Sequence, residues 1–286
     1  MIASEVINKQ NEDFMKRLLR RVYMPVLKAA AFDFKLSHHW APGRKVALNS
    51  FKHKGYWFHG KNRERRSMEL FAKLLSPGMI VIEVGGHIGY MSVYFDHLVQ
   101  PDGRVIVFEP GSNNLPYISK TVAPHKNIIL EEKGVGNFDG TMEFFEESLT
   151  GQNNSFVKNF DGLAANQEVS FVNVAVVPHK VEVVKLDSYC KNVTPDFIKI
   201  DVEGFEYDVL LGAKVTLSKT PRLMVEVQAN QAAIFDLLRK AGYRMFDDQG
   251  NETTMEQGSV TNIFCLHRIA HANDIRSVFV KLAAVL

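Results

Sequence analysis

The chain has 286 residues, 46% hydrophobic and 23% charged, a composition typical of a globular protein that excludes disorder or a coiled coil as the overall description. Its 34 Lys and Arg residues nearly balance 32 Asp and Glu residues, so no global field favours nucleic acid, and no nucleic-acid partner is expected. Cys190 and Cys265 lack metal-ligand spacing, and no long apolar segment precedes the main fold. We therefore expect a reduced, cytoplasmic protein without a transmembrane segment.

The first predicted element is an amphipathic helix from about Glu12 to Ala31, with apolar residues at helical spacing and basic residues between them. Three interpretations are open: docking on the main domain, contact within a homodimer, and binding to an anionic membrane surface. The predicted organisation is an N-terminal helical extension and link over residues 1–60, a main domain over 61–270, and a C-terminal helix or tail over 271–286. Within the link, Val46 to His59 is predicted to be rich in strand, with Tyr56 and Trp57 exposed or half buried.

Beyond a helix from Ser67 to Leu75, strands and helices alternate. The predicted strands are Met79 to Val84, Val105 to Phe108, Asn127 to Glu132, Phe197 to Ile200, Leu223 to Val227, Tyr243 to Phe246 and Val260 to Leu266. The predicted helices are Gly89 to Val99, Ser112 to Val122, Glu206 to Leu217 and Gln231 to Ala241. Residues Thr141 to Lys185 depart from this rhythm and predict an antiparallel β-rich insertion near the site. Repeated βαβ units predict an α/β fold with a mostly parallel seven-stranded sheet, helices on both faces, and a ligand beyond the carboxyl ends of the strands.

A glycine motif, Glu83-x-Gly85-x-x-x-Gly89, follows the first strand of this series. Gly85 allows a sharp turn close to a ligand, Gly86 adds room, and Gly89 lets the next helix begin close to the sheet. The spacing matches neither the dinucleotide pattern G-x-G-x-x-G nor a phosphate-binding loop. An acidic residue at Glu83 suits a ligand that carries an amine and would repel phosphate.

The next strand ends at Glu109-Pro110, where a carboxylate can accept hydrogen bonds from both hydroxyls of a ribose. A ribose site without a phosphate loop indicates S-adenosylmethionine as the ligand. A third strand delivers Asp201 to the same edge, within reach of the cofactor or of a substrate hydroxyl.

Methyl transfer to a hydroxyl benefits from a base, since an alcohol is a poor nucleophile until its proton leaves. Asp201 is the first candidate, followed by His87 and Glu226. Each of the latter two has a second interpretation, because His87 can simply fix the glycine loop and Glu226 can pair with a nearby cation. A divalent ion bound by Asp201, Glu203 and a distant carboxylate is a further alternative, but no compact ligand set is visible, and we assign no metal site.

Several segments together resemble the FkbM family of methyltransferases, most specifically the K-I-D-V-E-G block of Lys199 to Gly204. The other matching segments are Val81 to Ser92, Val105 to Pro110, Val184 to Tyr189 and Leu223 to Glu226. The resemblance implies a Rossmann-like class I methyltransferase domain at residues 61–270 and S-adenosylmethionine as donor. It further implies O-methylation of a hydroxyl on a sugar, a glycan or a polyketide-type metabolite.

By this resemblance, Glu83, Gly85 and Gly89 would frame the methionine part of the cofactor, Glu109 the ribose, and Gly134-Val135 the adenine. The chain departs from the family at two positions: His87-Ile88 precedes the last glycine where many members have Asn, and Glu83 replaces the more frequent Asp. Both changes retain hydrogen-bonding character and bear on residue roles more than on the family.

The sequence gives less information about the methyl acceptor than about the methyl donor. The polar loop from Gly151 to Ser155 and the basic run from Lys61 to Arg66 are either solvated surface or cover and steer the acceptor. A functional basic run would indicate an anionic acceptor. Two other functions are open, namely a methyltransferase that acts on RNA or protein and a non-catalytic scaffold that binds the cofactor.

Overall fold

The computed structural model describes residues 26–158, 174–254 and 262–279. The strands are β1 (Asp33–Ser37), β2 (Lys45–Asn49), β3 (Ile80–Val84), β4 (Arg104–Phe108), β5 (Ile128–Glu131), β6 (Gly134–Val135), β7 (Gly140–Glu147), β8 (Val176–Val184), β9 (Phe197–Ile200), β10 (Arg222–Glu226), β11 (Tyr243–Phe246) and β12 (Asn262–His267). The helices are α1 (Lys54–His59), α2 (Arg65–Leu74), α3 (Tyr90–Val99), α4 (Leu115–Val122), α5 (Leu186–Tyr189), α6 (Glu206–Leu211), α7 (Lys214–Ser218), α8 (Gln231–Lys240) and α9 (Ala272–Asp274).

The predicted seven-stranded sheet is confirmed, with the order β11-β12-β10-β9-β3-β4-β5. The neighbours β10, β9, β3, β4 and β5 pair in parallel, and β12 runs antiparallel to both β10 and β11. The strand order reverses next to β3, whose last residue Val84 pairs with Phe108 on one side and Ile200 on the other. That reversal is the switch point at which α/β sheets bind ligands.

The central strands of the sheet are nearly continuous apolar runs, and the sheet is therefore buried on both faces. Successive side chains point to opposite faces of a strand, so Val81 and Phe197 lie in one hydrophobic cluster and Ile82 and Ile198 in the other. Helices α2, α3 and α4 cover the first face, and α6, α7 and α8 cover the second. This packing fixes the strand ends, and with them the side chains that follow.

The strand-rich link predicted from Val46 to His59 is wrong in its second half. Strand β2 ends at Asn49, whose side-chain oxygen accepts hydrogen bonds from the backbone N–H groups of Phe51 and Lys52. Such a side chain competes with strand pairing and closes a turn, after which α1 begins. On this helix Tyr56 is buried, contrary to the prediction, while Trp57 is 40% exposed.

The helix predicted from Glu206 to Leu217 is divided into α6 and α7. Gly212 lies at the division. A Cβ there would overlap the backbone of Gly136, so a residue with a side chain does not fit at this position. The carboxylate of Asp187 then accepts the backbone N–H groups of Val215 and Thr216 at the start of α7. These two bonds satisfy donors that a new helix leaves open.

The β-rich insertion forms a separate three-stranded sheet of order β6-β8-β7, in which β7 and β8 are antiparallel as predicted. Most of the amphipathic helix predicted near the N-terminus lies outside the described residues, as does part of the predicted β-rich insertion. The C-terminal segment is helical where it is described, and its Ile275 and Phe279 pack into the first core cluster. The described part of the chain contains no helix of the length and apolarity that crossing a bilayer requires.

Candidate active site

A cavity of about 280 Å³ opens at the carboxyl edge of the sheet, beside the switch point. Because β3, β4 and β9 end in register, the residues after them converge on this cavity. The residues predicted from sequence that line it are Glu83, Gly85, Gly86, His87, Glu109, Pro110, Gly134, Val135, Asp201 and Glu226. Gly89 is not among the lining residues. The parallel topology therefore brings nearly the whole predicted set to one place.

The glycine loop after β3 is fixed by main-chain hydrogen bonds. The backbone N–H groups of Gly85 and Gly86 donate to the carbonyl of Phe108, at 3.0 and 3.1 Å. Gly85 has a φ of +90°, and a Cβ there would overlap the carbonyl oxygen of Asp201. Glycine is required at this position because two strand ends touch and because the backbone is left-handed.

Gly89 serves helix packing and not the cavity wall. It precedes α3 with a φ of +80°, and a Cβ there would lie 3.1 Å from Ile118 on α4. The sequence interpretation placed this close approach against the sheet, whereas the structure places it against a helix. Any influence of Gly89 on a ligand is therefore indirect.

The Glu109 carboxylate is held from three directions. Its Oε2 accepts the backbone N–H of His87 at 2.7 Å, and its Oε1 accepts the N–H of Gly111 at 2.8 Å and the Nδ2 of Asn114 at 3.2 Å. Burial raises the pKa of Glu109 to about 7 in spite of these donors. The side chain is thus aimed by the backbone, and its charge is sensitive to pH near neutrality.

Glu83 is buried under the loop, and its Oε2 accepts the hydroxyl of Ser92 at 2.5 Å. Burial raises the pKa of Glu83 to about 7, while the positive charge of Lys199 acts in the opposite direction. Burial likewise raises the pKa of Glu206 to about 7, and its Oε1 accepts the backbone N–H of Gly204. This bond fixes Glu206 at the turn before α6.

His87 joins the glycine loop to two covering segments. Its Nε2 lies 3.2 Å from the carbonyl oxygen of Thr150, which only accepts, so the ring proton resides on Nε2. Its Nδ1 lies 3.0 Å from the hydroxyl of Tyr56, which therefore donates to it. Burial lowers the pKa of His87 to about 4, so the ring is neutral. Since both nitrogens are occupied, the geometry favours the loop-fixing interpretation over the role of base, which stays a prediction.

A buried ion pair lies across the cavity from Glu109. The Nζ of Lys199 is 2.8 Å from Oδ2 of Asp201, and the side chains are 3% and 27% exposed respectively. Burial opposes ionisation of Asp201, but the positive charge of Lys199, together with hydrogen bonds from Glu226 and Lys199, lowers the pKa of Asp201 below its usual range. Burial also opposes the charge of Lys199, yet Asp201 and Glu83 together raise its pKa. At neutral pH the carboxylate of Asp201 is therefore ionised, and it lines the cavity.

Glu226 and Glu203 flank this ion pair. The negative charge of Asp201, followed by burial, raises the pKa of Glu226 to about 10. Burial, followed by Asp201, raises the pKa of Glu203 to about 8, although Gln228 donates a hydrogen bond to it at 2.9 Å. Of these two neighbouring carboxyl groups, Asp201 is therefore ionised at neutral pH, and Glu226 carries a proton. In the part of the chain that is described, no group of three or more His, Cys, Asp or Glu side chains is arranged to hold a metal ion.

The loop after β7 forms another wall of the cavity. The Glu147 carboxylate accepts the backbone N–H groups of Leu149, Thr150 and Gly151, which ties the loop into a compact turn. Residues 151–154 then line the cavity, which favours the interpretation that the polar loop covers the site over that of solvated surface. At the far end, Gly134 packs directly under the ring of Phe156, where a Cβ would overlap the ring.

Sequence reasoning did not name several of the lining residues as site residues, among them Tyr56, Arg63 and Lys199. A signal existed for Lys199, because a single lysine stands within a strand that is otherwise apolar. The signal for Arg63 was its place in the basic run from Lys61 to Arg66, for which surface and site interpretations were both open. Glu64 of the same run also lines the cavity. Tyr56 was assigned to a strand and to the surface.

Comparison with known proteins adds a family. Residues 83–245, more than half of the chain, match the family model described as the methyltransferase FkbM domain. The 2-O-methyltransferase NoeI of Sinorhizobium fredii (strain NBRC 101917 / NGR234) is 25% identical over 187 residues, covering 59% of this chain and 75% of that protein.

Two solved structures align with most of the chain at low similarity. A SAM-dependent methyltransferase from Aquifex aeolicus is 13% identical, with a TM-score of 0.39, over 72% of this chain and 91% of that one. Aeropyrum pernix fibrillarin with natively bound S-adenosyl-L-methionine is 10% identical, with a TM-score of 0.39, over 70% and 73%. Because these scores are low, the sheet order and the family match carry the assignment of the fold.

Proposed function

The chain belongs to the FkbM family of methyltransferases and uses S-adenosylmethionine as methyl donor, and from this premise we propose that it methylates a hydroxyl oxygen of a sugar or glycan. The relative from Sinorhizobium fredii is a 2-O-methyltransferase, which supports oxygen as the accepting atom. A polyketide-type metabolite with a free hydroxyl is the second acceptor class that the family resemblance allows.

The residues around the cavity fit this donor. Glu109 is held at the end of β4, where its carboxylate can accept the ribose hydroxyls. Gly134 and Val135 line the end of the cavity that we assign to adenine, and Glu83 lies below the loop on the side that we assign to the methionine amine. The buried Nε of Arg63 has no hydrogen-bond partner among the described residues, as expected for a site that awaits a polar ligand.

When bound, S-adenosylmethionine supplies a methyl group already activated by a positive sulfur. The chain then has to position the acceptor hydroxyl, exclude water and take up the proton that leaves it. We assign the proton to Asp201, which is ionised at neutral pH and 27% exposed toward the cavity. Lys199 keeps Asp201 ionised, and His87 holds the glycine loop and the covering segments together.

One observation carries this proposal. An ionised carboxylate, Asp201, stands at the same sheet edge as the glycine loop and Glu109, and a buried lysine maintains its charge. A purely structural ion pair would have no need to leave one partner accessible from a cavity. A donor site and a base on one edge are what transfer to a hydroxyl requires.

The acceptor is tested by turnover. Purified protein with S-adenosylmethionine is offered saccharides with free hydroxyls, hydroxylated polyketides, RNA and an unrelated protein, in separate reactions. We expect S-adenosylhomocysteine and an O-methylated product with a saccharide, identified by mass spectrometry and by the position of the new methyl in NMR. Methylation of RNA or protein without a saccharide product would contradict the proposal, as would a methyl group on nitrogen or carbon.

The cellular setting and assembly remain proposals. Both Cys190 and Cys265 are free and buried, which supports a reduced, cytoplasmic environment. The homodimer expected through the N-terminal helix concerns residues outside the described part of the chain. The boundaries at residues 60 and 270 likewise stay predictions.

A further inference from the structure

Arg63 differs from the other cations of the basic run Lys61 to Arg66. Lys61 lies over the ring of Trp40, and Arg65 is 64% exposed and bonded to Glu69. Arg66 is also largely exposed and lies near Asp248. Arg63, by contrast, lines the cavity and is only 22% exposed. The cations of the run are therefore surface groups except for Arg63, which turns inward.

The guanidinium of Arg63 occupies a space shaped for it. Its central carbon lies 4.3 Å from the centroid of the Tyr56 ring, a cation–π contact. A Cβ at Gly55 would approach Nη1 to 2.8 Å, so the absence of a side chain there makes room. The Glu64 carboxylate is 3.4 Å from Nε, yet Nε is buried and forms no hydrogen bond within the described residues. Glu64 thus partly offsets the charge of Arg63, but the buried Nε donor lacks a hydrogen-bond acceptor among the described residues.

Four backbone N–H groups of the glycine loop are already used in hydrogen bonds within the protein. The N–H groups of Gly85 and Gly86 are bonded to Phe108, and that of His87 is bonded to Glu109. The N–H of Gly89 is bonded within the loop, to Gly86. Loops of this kind often bind anions through free N–H groups, but here those groups are used inside the protein.

The other cations that line the cavity are also committed. Lys199 is paired with Asp201 at 2.8 Å and is nearly inaccessible. Lys133 donates to Glu182 at 2.7 Å, at the Gly134 end of the cavity. Arg63 is linked to the glycine loop through Tyr56, whose hydroxyl bonds to His87. Arg63 is thus a cation that lies beside the glycine loop. Because several carboxyl groups surround the cavity, an anionic ligand group would be unfavourable beside the loop without the positive charge of Arg63.

We propose that Arg63 binds the α-carboxylate of the methionine part of S-adenosylmethionine. The planar guanidinium can offer two parallel N–H donors to a carboxylate, a stronger arrangement than single neutral hydrogen bonds. The amine of the same amino-acid group would then lie toward the acidic side of the cavity. This inference rests on the donor and is independent of the sugar acceptor proposed above.

The test is calorimetry with ligands that differ at one group. Wild-type protein and Arg63→Gln are titrated with S-adenosylmethionine, S-adenosylhomocysteine, decarboxylated S-adenosylmethionine and 5′-methylthioadenosine. The first two carry the carboxylate, the third lacks only that group, and the fourth lacks the whole amino-acid part. We expect the substitution to weaken the first two by roughly 10- to 100-fold, as for a charged hydrogen-bond pair, and to leave the last two unchanged. Arg65→Gln, from the exposed part of the run, is the matched control and should change none of them.

Three results would overturn the proposal. One is an equal loss of affinity for all four ligands, which would indicate a collapsed cavity. Another is unchanged affinity for all four combined with a raised KM for the acceptor, which would place an acceptor anion at Arg63. If Arg63→Gln fails to fold, the test uses the wild-type protein only. The wild-type protein should bind S-adenosylmethionine more tightly than decarboxylated S-adenosylmethionine. Equal affinities for the two would contradict the proposal.

Discussion

The two halves of the cavity are built on different physical principles. On the side of β3 and β4, the glycine loop and Glu109 are held by main-chain N–H groups, which do not titrate. On the side of β9 and β10, Lys199, Asp201 and Glu226 are held by charge and by a shared proton. The first half is positioned mainly by backbone geometry, although its Glu83 and Glu109 carboxyl groups also titrate near neutrality, and the second half is positioned by the charges and protonation states of its side chains.

This difference matches the two tasks of the site, which are to hold the methyl donor and to take up the proton of the acceptor. A donor must be held in one orientation for in-line transfer, and main-chain hydrogen bonds provide that with little freedom. An acceptor hydroxyl must lose a proton, which requires a group that can gain one. Perturbed carboxyl groups in one cavity are characteristic of sites that move protons, although structural ion pairs also perturb them.

The largest expected effect is on the half of the cavity formed by Lys199, Asp201 and Glu226. Asp201→Asn removes the base and should lower kcat by about 100-fold or more, in the range typical of general-base catalysis. The affinity for S-adenosylmethionine should change little, because the donor half is untouched and Lys199 retains Glu83 as a counter-charge. Steady-state kinetics together with calorimetry separate the two quantities.

Asp236→Asn provides a matched control, because this exposed aspartate on α8 pairs only with Lys240 in a surface ion pair. It should leave both kcat and affinity unchanged. Equal loss of cofactor affinity and kcat in Asp201→Asn, with normal thermal unfolding, would mean that Asp201 binds the donor and does not serve as base.

The second effect concerns the donor half. Because burial raises the pKa of Glu109 to about 7, this carboxylate gains a proton as pH falls from 8 to 6 and then accepts fewer hydrogen bonds. The affinity for S-adenosylmethionine should therefore decline over that window. Glu109→Gln should bind the donor more weakly by about 1–3 kcal/mol at pH 8, with a flatter pH profile than the wild type.

Glu132→Gln, at an exposed carboxyl group, should retain the wild-type affinity and pH profile. Glu83 has a similar pKa, so some dependence on pH should survive in Glu109→Gln. An unchanged affinity in that variant at pH 8 would remove Glu109 from the ribose site.

The sequence predicts most of this architecture because parallel strands place their ends at one edge. Gly85, Glu109 and Asp201 are far apart in the chain, and each follows an apolar strand. Pattern and topology together were enough to place them in one cavity. The helix break at Gly212 was not predictable, because it depends on close approach to Gly136, a contact between distant segments.

The electrostatic partners were predicted less well than the strand ends. The inward turn of Arg63 depends on the space at Gly55 and on the Tyr56 ring, and neither has a local signature. The neutral state of His87 depends on burial and on two partners from other segments. Lys199 is the exception, because a charged residue inside a buried strand predicts a buried partner.

The smallest expected effect separates two carboxyl groups that lie side by side. Glu226 holds its proton at neutral pH, because the charge of Asp201 and then burial raise its pKa to about 10. Glutamine is neutral, similar in shape and also able to donate a hydrogen bond, so Glu226→Gln should change kcat by less than about threefold at pH 7.5. Glu226→Ala removes the donor and should lower kcat further than Gln.

The comparison of Glu226→Gln with Asp201→Asn, assayed by kcat at the same pH, tests which carboxyl group accepts the proton. If Glu226 were the base, its amide variant would lose as much activity as that of Asp201, and the order of the two pKa values would be the reverse of the one described. If the two residues act as one proton-sharing unit, the double variant should be no slower than Asp201→Asn alone, because removing the second member of a coupled pair adds little. A further large loss in the double variant would show that Glu226 acts on the substrate independently.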